Sequence, residues 1–368
     1  MTDTDVARTV EAAGLKEMTG MDVDSVYTLM DVQLRERPGP RELYKRWEKQ
    51  NWVVHDLDWA QDKIDWDTKI PAEFKEEIMF GLRAFFMGEV CVTETLSPMV
   101  HAAPTTEDQQ FLSTQLVDEA RHAIFFDQFF RNVLGIEGLE GMKADPVISR
   151  YIDPETGYGK TFFVDLPAVT EAVREDPGDY GKWVTSIVLY HMLIEGMLAL
   201  YGQRQLLQAT RLFDVLPSFR AGFTAVTRDE SRHVNYGVYA LRKAFEAGLH
   251  DHIVESAREY MDGPCDLLTK PLDKIVLPPE EMLALVPEEL RVGNFFEEWD
   301  FPLVQLRKRL GGAGISSEAI DSLDLFWWER TAKNVAEYED RFGEPHPAID
   351  RDAEGYAKLQ SRVAAVHS

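Results

Sequence analysis

Two copies of one pattern, Asp118-Glu119-Ala120-Arg121-His122 and Asp229-Glu230-Ser231-Arg232-His233, hold the residue types best suited to chemistry in this chain. In each, a carboxylate and an imidazole stand three positions apart, which on an α-helix puts them on one face, one turn apart, aimed into the same volume. That is half of a binding site for a transition-metal ion. Two such halves, each completed by a lone Glu from another helix, are the recurring construction of di-iron and di-manganese carboxylate sites inside four-helix bundles. A single E-x-x-H on a helix is common by chance, whereas a repeat of the longer D-E-x-R-H pattern is not. The spacing therefore predicts a dinuclear metal enzyme.

Four long helical patterns can position these groups. Pro71 opens an apolar-periodic run that ends before Pro104, with proline at a helix start and again beyond its end. A second run starts near Thr105-Thr106-Glu107-Asp108, a polar cap followed by acids, and ends around Gly135. Two more span about 180–210 and 218–248, and residues 136–178, with frequent Pro and Gly, read as a long crossover. If the first two runs form an antiparallel hairpin turning at Pro104, Glu89 and Glu119 each lie fifteen positions from the turn. At a rise of about 1.5 Å per residue both then sit about 22 Å below it. Glu195 and Glu230 are thirty-five positions apart, with their midpoint between Leu212 and Phe213, close to the turn expected around Arg211 to Pro217.

The expected ligand set is Glu89, Glu119, His122, Glu195, Glu230 and His233. Four carboxylates and two neutral imidazoles balance two divalent ions without stranding a buried charge. Glu94 competes with Glu89 but faces about 140° away around the helix. Glu89 also lies in the apolar run Phe85 to Val92, where an unpaired carboxylate is costly. His191, one turn before Glu195, is a candidate seventh ligand and more simply a core or supporting histidine. Asp118 and Asp229 are placed to accept the outer N–H of a ligand His from the neighbouring helix. Arg121 and Arg232 either pair with those acids or cover the site.

Composition narrows the class. With 368 residues and 45% hydrophobic content the chain can bury a large core, and its patterns are all-α. Residues 1–40 read as an N-terminal arm, 41–300 as the helical domain carrying the metals, and 301–368 as a C-terminal helical extension packed on that domain. From His250 onward the pattern gives several shorter amphipathic pieces and the aromatic cluster Leu325-Phe326-Trp327-Trp328. The 39 Lys and Arg against 64 Asp and Glu give a net charge of −25, which repels phosphate backbones and argues against nucleic acid as a partner. No stretch approaches the roughly 20 uninterrupted apolar residues of a membrane span. The acidic N-terminus lacks a basic-then-apolar signal, so the expected location is the cytoplasm. Cys91 and Cys265 are expected to be inert buried thiols.

Taken together, the ligand spacing, the paired D-E-x-R-H motifs, the Trp52 region and the crossover resemble the ribonucleotide reductase small-subunit family of the ferritin-like superfamily, over roughly residues 40–250. The resemblance implies a ferritin-like four-helix bundle with additional helices and a homodimer. It carries over the six residues above as metal ligands and matches Trp52 and Asp229 to the family's electron-relay positions. The family's radical-forming Tyr stands four residues after the first ligand His, where this chain has Phe126. Phenylalanine cannot hold a tyrosyl radical. Two branches then fit.

One is a manganese/iron reductase subunit, in which the metals store the oxidising equivalent; Tyr356 resembles that subunit's tail tyrosine. The other is the branch of ligand-binding oxidases, which bind a long-chain fatty-acid-like ligand at a manganese/iron site and form a Tyr–Val ether cross-link during oxygen activation. The segment Gly88 to Thr93 resembles the second branch, with Val92 where its cross-linking valine stands and Tyr190 where its tyrosine stands. The resemblance thus implies an oxidase or oxygenase that uses dioxygen and two transition-metal ions, manganese/iron or di-iron, on a small apolar or fatty-acid-like ligand. N-oxygenases and desaturases share the same ligand set. Phe125, Phe126 and Phe129 are candidates for the ligand pocket, although a stripe at that spacing is more often a core face.

Overall fold

The structure, a computed structural model, describes residues 1–143, 147–275, 295–347 and 353–364. These residues are helical apart from short connections, and no strand occurs among them. Eight helices matter for the site and its support: α1 (Val23–Glu36), α2 (Pro40–Lys49), α3 (Ala72–Thr95), α4 (Thr106–Phe129), α5 (Tyr180–Leu212), α6 (Pro217–Glu246), α7 (Phe295–Ala313) and α8 (Ser317–Phe342). The hairpins α3–α4 and α5–α6 form the four-helix bundle, and one continuous apolar core runs through it and out to α7 and α8.

Local chemistry sets the helix ends. Helix α3 stops at Thr95, and a separate short helix, Ser97–His101, follows. Pro98 is the cause: it lacks an N–H, and its ring clashes with the carbonyl four residues back. The expected unbroken run to Pro104 passed over it. Thr105 caps α4 by accepting from the Asp108 N–H at 3.2 Å. Helix α4 continues through a π-helical turn, Phe130–Leu134, to Gly135 at φ 70°, a left-handed stop suited to glycine. The 136–178 crossover is more ordered than its Pro and Gly content suggested. Gly157–Gly159, a π segment Lys160–Asp165 and Leu166–Glu175 run on as one helical stretch, with Pro167 directly after the π segment.

Helix α5 is long and apolar enough to cross a membrane by length and composition, but 89% of its apolar window is buried inside the protein, so it is a core helix. Its middle, Val188–Ala199, is π-helical. The first turn of α6 is capped from outside: Asp62 accepts from Ser218 N at 3.0 Å and Phe219 N at 2.7 Å, and Asp65 accepts from Leu216 N at 3.0 Å. These bonds satisfy N–H groups that a helix start leaves without partners.

The N-terminal residues are tied to the bundle, with α1 packed along α6. From α6, buried Arg228 reaches the Ala13 carbonyl at 2.7 Å and the Gln50 carbonyl at 2.8 Å. At the other end, α8 is a 26-residue helix where shorter pieces were expected. Its buried face includes Thr331 and Asn334, and Asn334 donates to Asp266 at 2.9 Å and to Thr269 at 2.8 Å. Polar residues on the inner face break the apolar period that a sequence reading follows. Trp327 and Trp328 are fully buried. The side chain of Tyr356 lies outside the described residues.

Candidate metal centre

Each bundle helix delivers part of one buried cluster. Helix α3 carries Glu89, α4 Glu119 and His122, α5 Glu195, and α6 Glu230 and His233, all within the bundle core and at most 7% exposed. Glu94 is exposed and plays no part. Two overlapping groups of donors result: Glu89, Glu119, His122 and Glu230, and Glu119, Glu195, Glu230 and His233.

The distances describe two adjoining sites. His122 Nδ1 lies 3.6 Å from Glu89 Oε2, 3.5 Å from Glu119 Oε2 and 3.5 Å from Glu230 Oε1. His233 Nδ1 lies 3.2 Å from Glu119 Oε1, 3.2 Å from Glu195 Oε1 and 3.3 Å from Glu230 Oε2. Donors held about 2.1 Å from a first-row ion are separated by about 3.0 Å in an octahedral arrangement and about 3.4 Å in a tetrahedral one. Both sets match that spacing. Glu119 and Glu230 each turn one oxygen to either imidazole and so span the two sites, while Glu89 and Glu195 each serve one.

The buried atoms His122 Nδ1 and Glu195 Oε2 have no hydrogen-bond partner, an arrangement that costs free energy unless something else engages them. The charges give the same picture. Burial pushes the Glu89 carboxyl up to about 8 despite nearby His122. Burial, joined by repulsion from Glu230, holds Glu195 well above the usual carboxylate range. Burial acts on Glu119 too, but hydrogen bonds and charge from His122 and His233 outweigh it and hold that group well below. Burial lowers both imidazoles, yet the carboxylates, Glu89 foremost for His122 and Glu195 for His233, drive them well above their ordinary value. Four carboxylates competing for two imidazoles form a cluster that two divalent ions neutralise, so the donor set fits two transition metals.

A surrounding layer fixes the imidazoles. His122 Nε2 faces Asp229 Oδ2 at 3.3 Å and His233 Nε2 faces Asp118 Oδ2 at 3.1 Å, each across the bundle. Engaging Nε2–H this way leaves both Nδ1 lone pairs pointing inward. Trp52 Nε1 donates to Asp229 Oδ2 at 2.8 Å. Arg232 pairs with Asp229 at 2.6 Å and Asp118 at 2.9 Å, and Arg121 pairs with Asp118. The arginines therefore neutralise the two acids, the first of the two roles the sequence left open.

The family match follows from this architecture. Residues 35–274, well over half of the chain, match the model of the ribonucleotide reductase small chain. The chain belongs to the ribonucleotide reductase small-chain family. Its fold is also similar to solved structures. One is an R2-like ligand-binding oxidase from Sulfolobus acidocaldarius, at 21% identity, with a TM-score of 0.57, over 76% of this chain and 93% of that one. Another is a valine-to-leucine variant of an R2-like ligand-binding oxidase with an aerobically reconstituted Mn/Fe cofactor, at 19% identity and a TM-score of 0.53, over 80% and 92% of the two chains. The ferritin-like fold inferred from the sequence is the observed one.

In this small-chain relative, several residues near the cluster were not singled out by the sequence pattern. Gln115, one turn before Glu119, donates from Nε2 to Glu195 Oε1 at 2.9 Å and faces His191 Nε2 with Oε1 at 3.0 Å. Its place on the ligand face of α4 was the available clue. His191 thus sits behind Gln115 and outside both donor groups, and burial pushes its pKa down to about 3. Trp47 also passed unnoticed and donates to Asp118 Oδ1 at 2.8 Å. So did Gln50, whose Oε1 accepts from Arg232 at 2.6 Å.

Tyr190 reaches across to α4 and donates to Glu119 Oε1 at 2.8 Å. Val92 is buried on α3, one turn beyond Glu89. Phe125, Phe126 and Phe129 are fully buried and pack ring to ring: Phe126 with Phe85 and Phe223, Phe125 with Trp59, Phe129 with Phe219. A cleft of about 880 Å³ opens beside Trp52, lined in part by Arg8, Lys49, Asn51 and Arg228.

Proposed function

We propose that this small-chain relative is a dioxygen-activating oxidase or oxygenase whose dinuclear site is held by Glu89, Glu119, His122, Glu195, Glu230 and His233. One observation carries the reading: each inward Nδ1 faces three carboxylate oxygens at 3.2–3.6 Å, with Glu119 and Glu230 shared between them. Two redox-active ions bound there would supply Lewis acidity and the electrons that dioxygen reduction requires.

The chain's own residues do the rest. Asp118 and Asp229 keep the imidazoles in the tautomer that binds through Nδ1. Glu119 and Glu230, each facing both imidazoles, would contribute to holding both ions, and Gln115 orients Glu195 through the bond to its Oε1. The packed rings of Phe86, Phe126 and Phe223 exclude water. The Tyr190 phenol keeps its proton, since burial and then Glu119 push its pKa well above the ordinary value, and it presents that O–H to Glu119.

The substrate side of this reading rests on the resemblance of the Gly88 to Thr93 segment to the oxidase branch and on neighbours named as ligand-binding oxidases. The site takes a small apolar or fatty-acid-like ligand, and by the resemblance Tyr190 and Val92 join as an ether. That step removes the phenolic hydrogen and one valine hydrogen, with dioxygen accepting both electrons. The protein is taken as a homodimer, as the family resemblance implies, and as cytoplasmic from its sequence pattern.

The test is reconstitution with iron, or with manganese and iron, followed by elemental analysis, oxygen-electrode measurement and mass mapping. Two ions per chain, consumed dioxygen and a joined Tyr190–Val92 peptide lighter by two hydrogens support the reading. Absence of bound metal, or of oxygen uptake by metal-loaded protein, defeats it. The family match supports a second reading, a manganese/iron radical subunit for nucleotide reduction, in which Phe126 replaces the radical tyrosine. Stable capture of a reductase large subunit by this chain would favour that alternative.

A further inference from the structure

His191 is a fully buried imidazole that lies outside both donor groups. It shares the π-helical middle of α5 with Glu195. Gly237 of α6 makes room for it, since a Cβ at that position would lie 2.4 Å from the His191 Cβ. The rings of Tyr190 and Tyr236 pack against the imidazole, with centroids 5.0 Å and 5.6 Å away. Its place is therefore fixed on several sides.

Hydrogen bonds decide which of its nitrogens carries the proton. A carboxylate that serves a cation only accepts, so the Gln115 amide nitrogen is the atom turned to Glu195 Oε1, at 2.9 Å. The amide oxygen then faces His191 Nε2 at 3.0 Å, and it too only accepts. His191 must donate from Nε2. Its Nδ1 is left as a bare lone pair, and that buried atom has no hydrogen-bond partner. Burial keeps the ring neutral by pushing its pKa down to about 3. With the proton on Nδ1 instead, the amide would turn over and set its oxygen against the Glu195 carboxylate.

The opposite end of the cluster is built differently. Among the described residues, no side-chain amide, hydroxyl or indole donates to Glu89, whose Oε2 lies 3.6 Å from His122 Nδ1. Glu195 is tethered and Glu89 is not.

We propose that His191, acting through Gln115, is the positioning residue that holds Glu195 in one orientation on the His233 side of the cluster. The inference rests on the reading of the cluster as a dinuclear metal site. The imidazole sets the amide, and the amide sets the carboxylate. Loss of either member frees Glu195 to rotate and weakens the ion it serves, while the ion on the Glu89 side keeps its donors.

The test titrates full-length, metal-free protein with Co(II) under nitrogen, using chelator competition for the affinities and the visible absorption bands for the geometry of the bound ions. Wild type is expected to bind two. Gln115→Met, which keeps the side-chain length without the amide, should weaken one ion about 10-fold and shift its bands, leaving the other unchanged. His191→Leu should do the same, and the double variant should add nothing to either single change. His191→Gln, whose amide nitrogen falls near the position of Nε2, should restore the wild-type bands, whereas His191→Asn, whose amide falls near Nδ1, should not. In zinc-loaded wild type labelled with 15N-histidine, the His191 resonances, assigned by their absence from His191→Gln, should show the Nε2–H tautomer. Additive effects in the double variant, identical bands in His191→Gln and His191→Asn, or an Nδ1–H tautomer overturns the proposal. Two bound ions with unchanged bands in Gln115→Met overturn the positioning role alone. Wild type that binds no Co(II) overturns the dinuclear reading and the role with it.

Discussion

His233 turns its Nε2 to Asp118 Oδ2, 3.1 Å away on the opposite hairpin, and His122 does the same toward Asp229 at 3.3 Å. The duplicated motif is therefore interlocked: the aspartate of each copy orients the histidine of the other. Neither half of the centre is complete within its own hairpin, so correct pairing of α3–α4 with α5–α6 is a condition for any metal site.

Removing one of these aspartates should loosen the imidazole it holds. Asp118→Ala is expected to lower metal affinity by about 10–100-fold, read by competition with a chromophoric chelator. It also strips Arg232 and Trp47 of a partner, so metal affinity in Asp118→Asn, which keeps an acceptor oxygen, should fall between wild type and the alanine variant.

The four glutamates should not be equivalent. Glu119 faces both imidazoles whereas Glu89 faces only His122. Glu89→Ala is expected to retain one ion per chain and Glu119→Ala to retain neither under the same loading, measured by elemental analysis. Equal retention in the two variants would mean that Glu119 does not bridge.

Asp62 supports the fold at a distance from the chemistry. Its carboxylate closes two N–H groups at the start of α6, at 3.0 Å and 2.7 Å. Asp62→Ala should destabilise the protein by about 1–2 kcal/mol, seen as a lower urea midpoint with unchanged slope.

Acid should destabilise the protein in part through His191. Burial depresses its pKa from 6.5 to about 3, so its contribution is fully present above about pH 6.5 and is lost as pH falls toward 3. Between those limits the unfolded chain binds a proton that the folded one refuses, at about 1.4 kcal/mol per pH unit. His191→Gln, which cannot titrate, should lose less stability than wild type between pH 6 and pH 4.5 in urea titrations. An identical loss in the two proteins would assign the acid sensitivity to other groups.

Much of this molecule was readable from residue order. Carboxylate and imidazole three apart must share a helix face, and the equal offsets of Glu89 and Glu119 from Pro104 placed them together even though α3 breaks early, at Pro98. The break was missed because apolar periodicity continues across it. The length of α8 was missed because Thr331 and Asn334 sit on its inner face.

Spacing along a helix is a local property, so the sequence by itself determined the four long helices, the face each presents and which side chains point inward. The tertiary structure alone decided which groups meet across helices: that Glu119 and Glu230 span both imidazoles, that each aspartate serves the other hairpin's histidine, and that Gln115, Trp47 and Tyr190 join the cluster. The physical reason is that hydrogen bonds and ligand distances depend on how helices rotate and cross, which is set by packing of the whole core and leaves no periodic trace in any one segment.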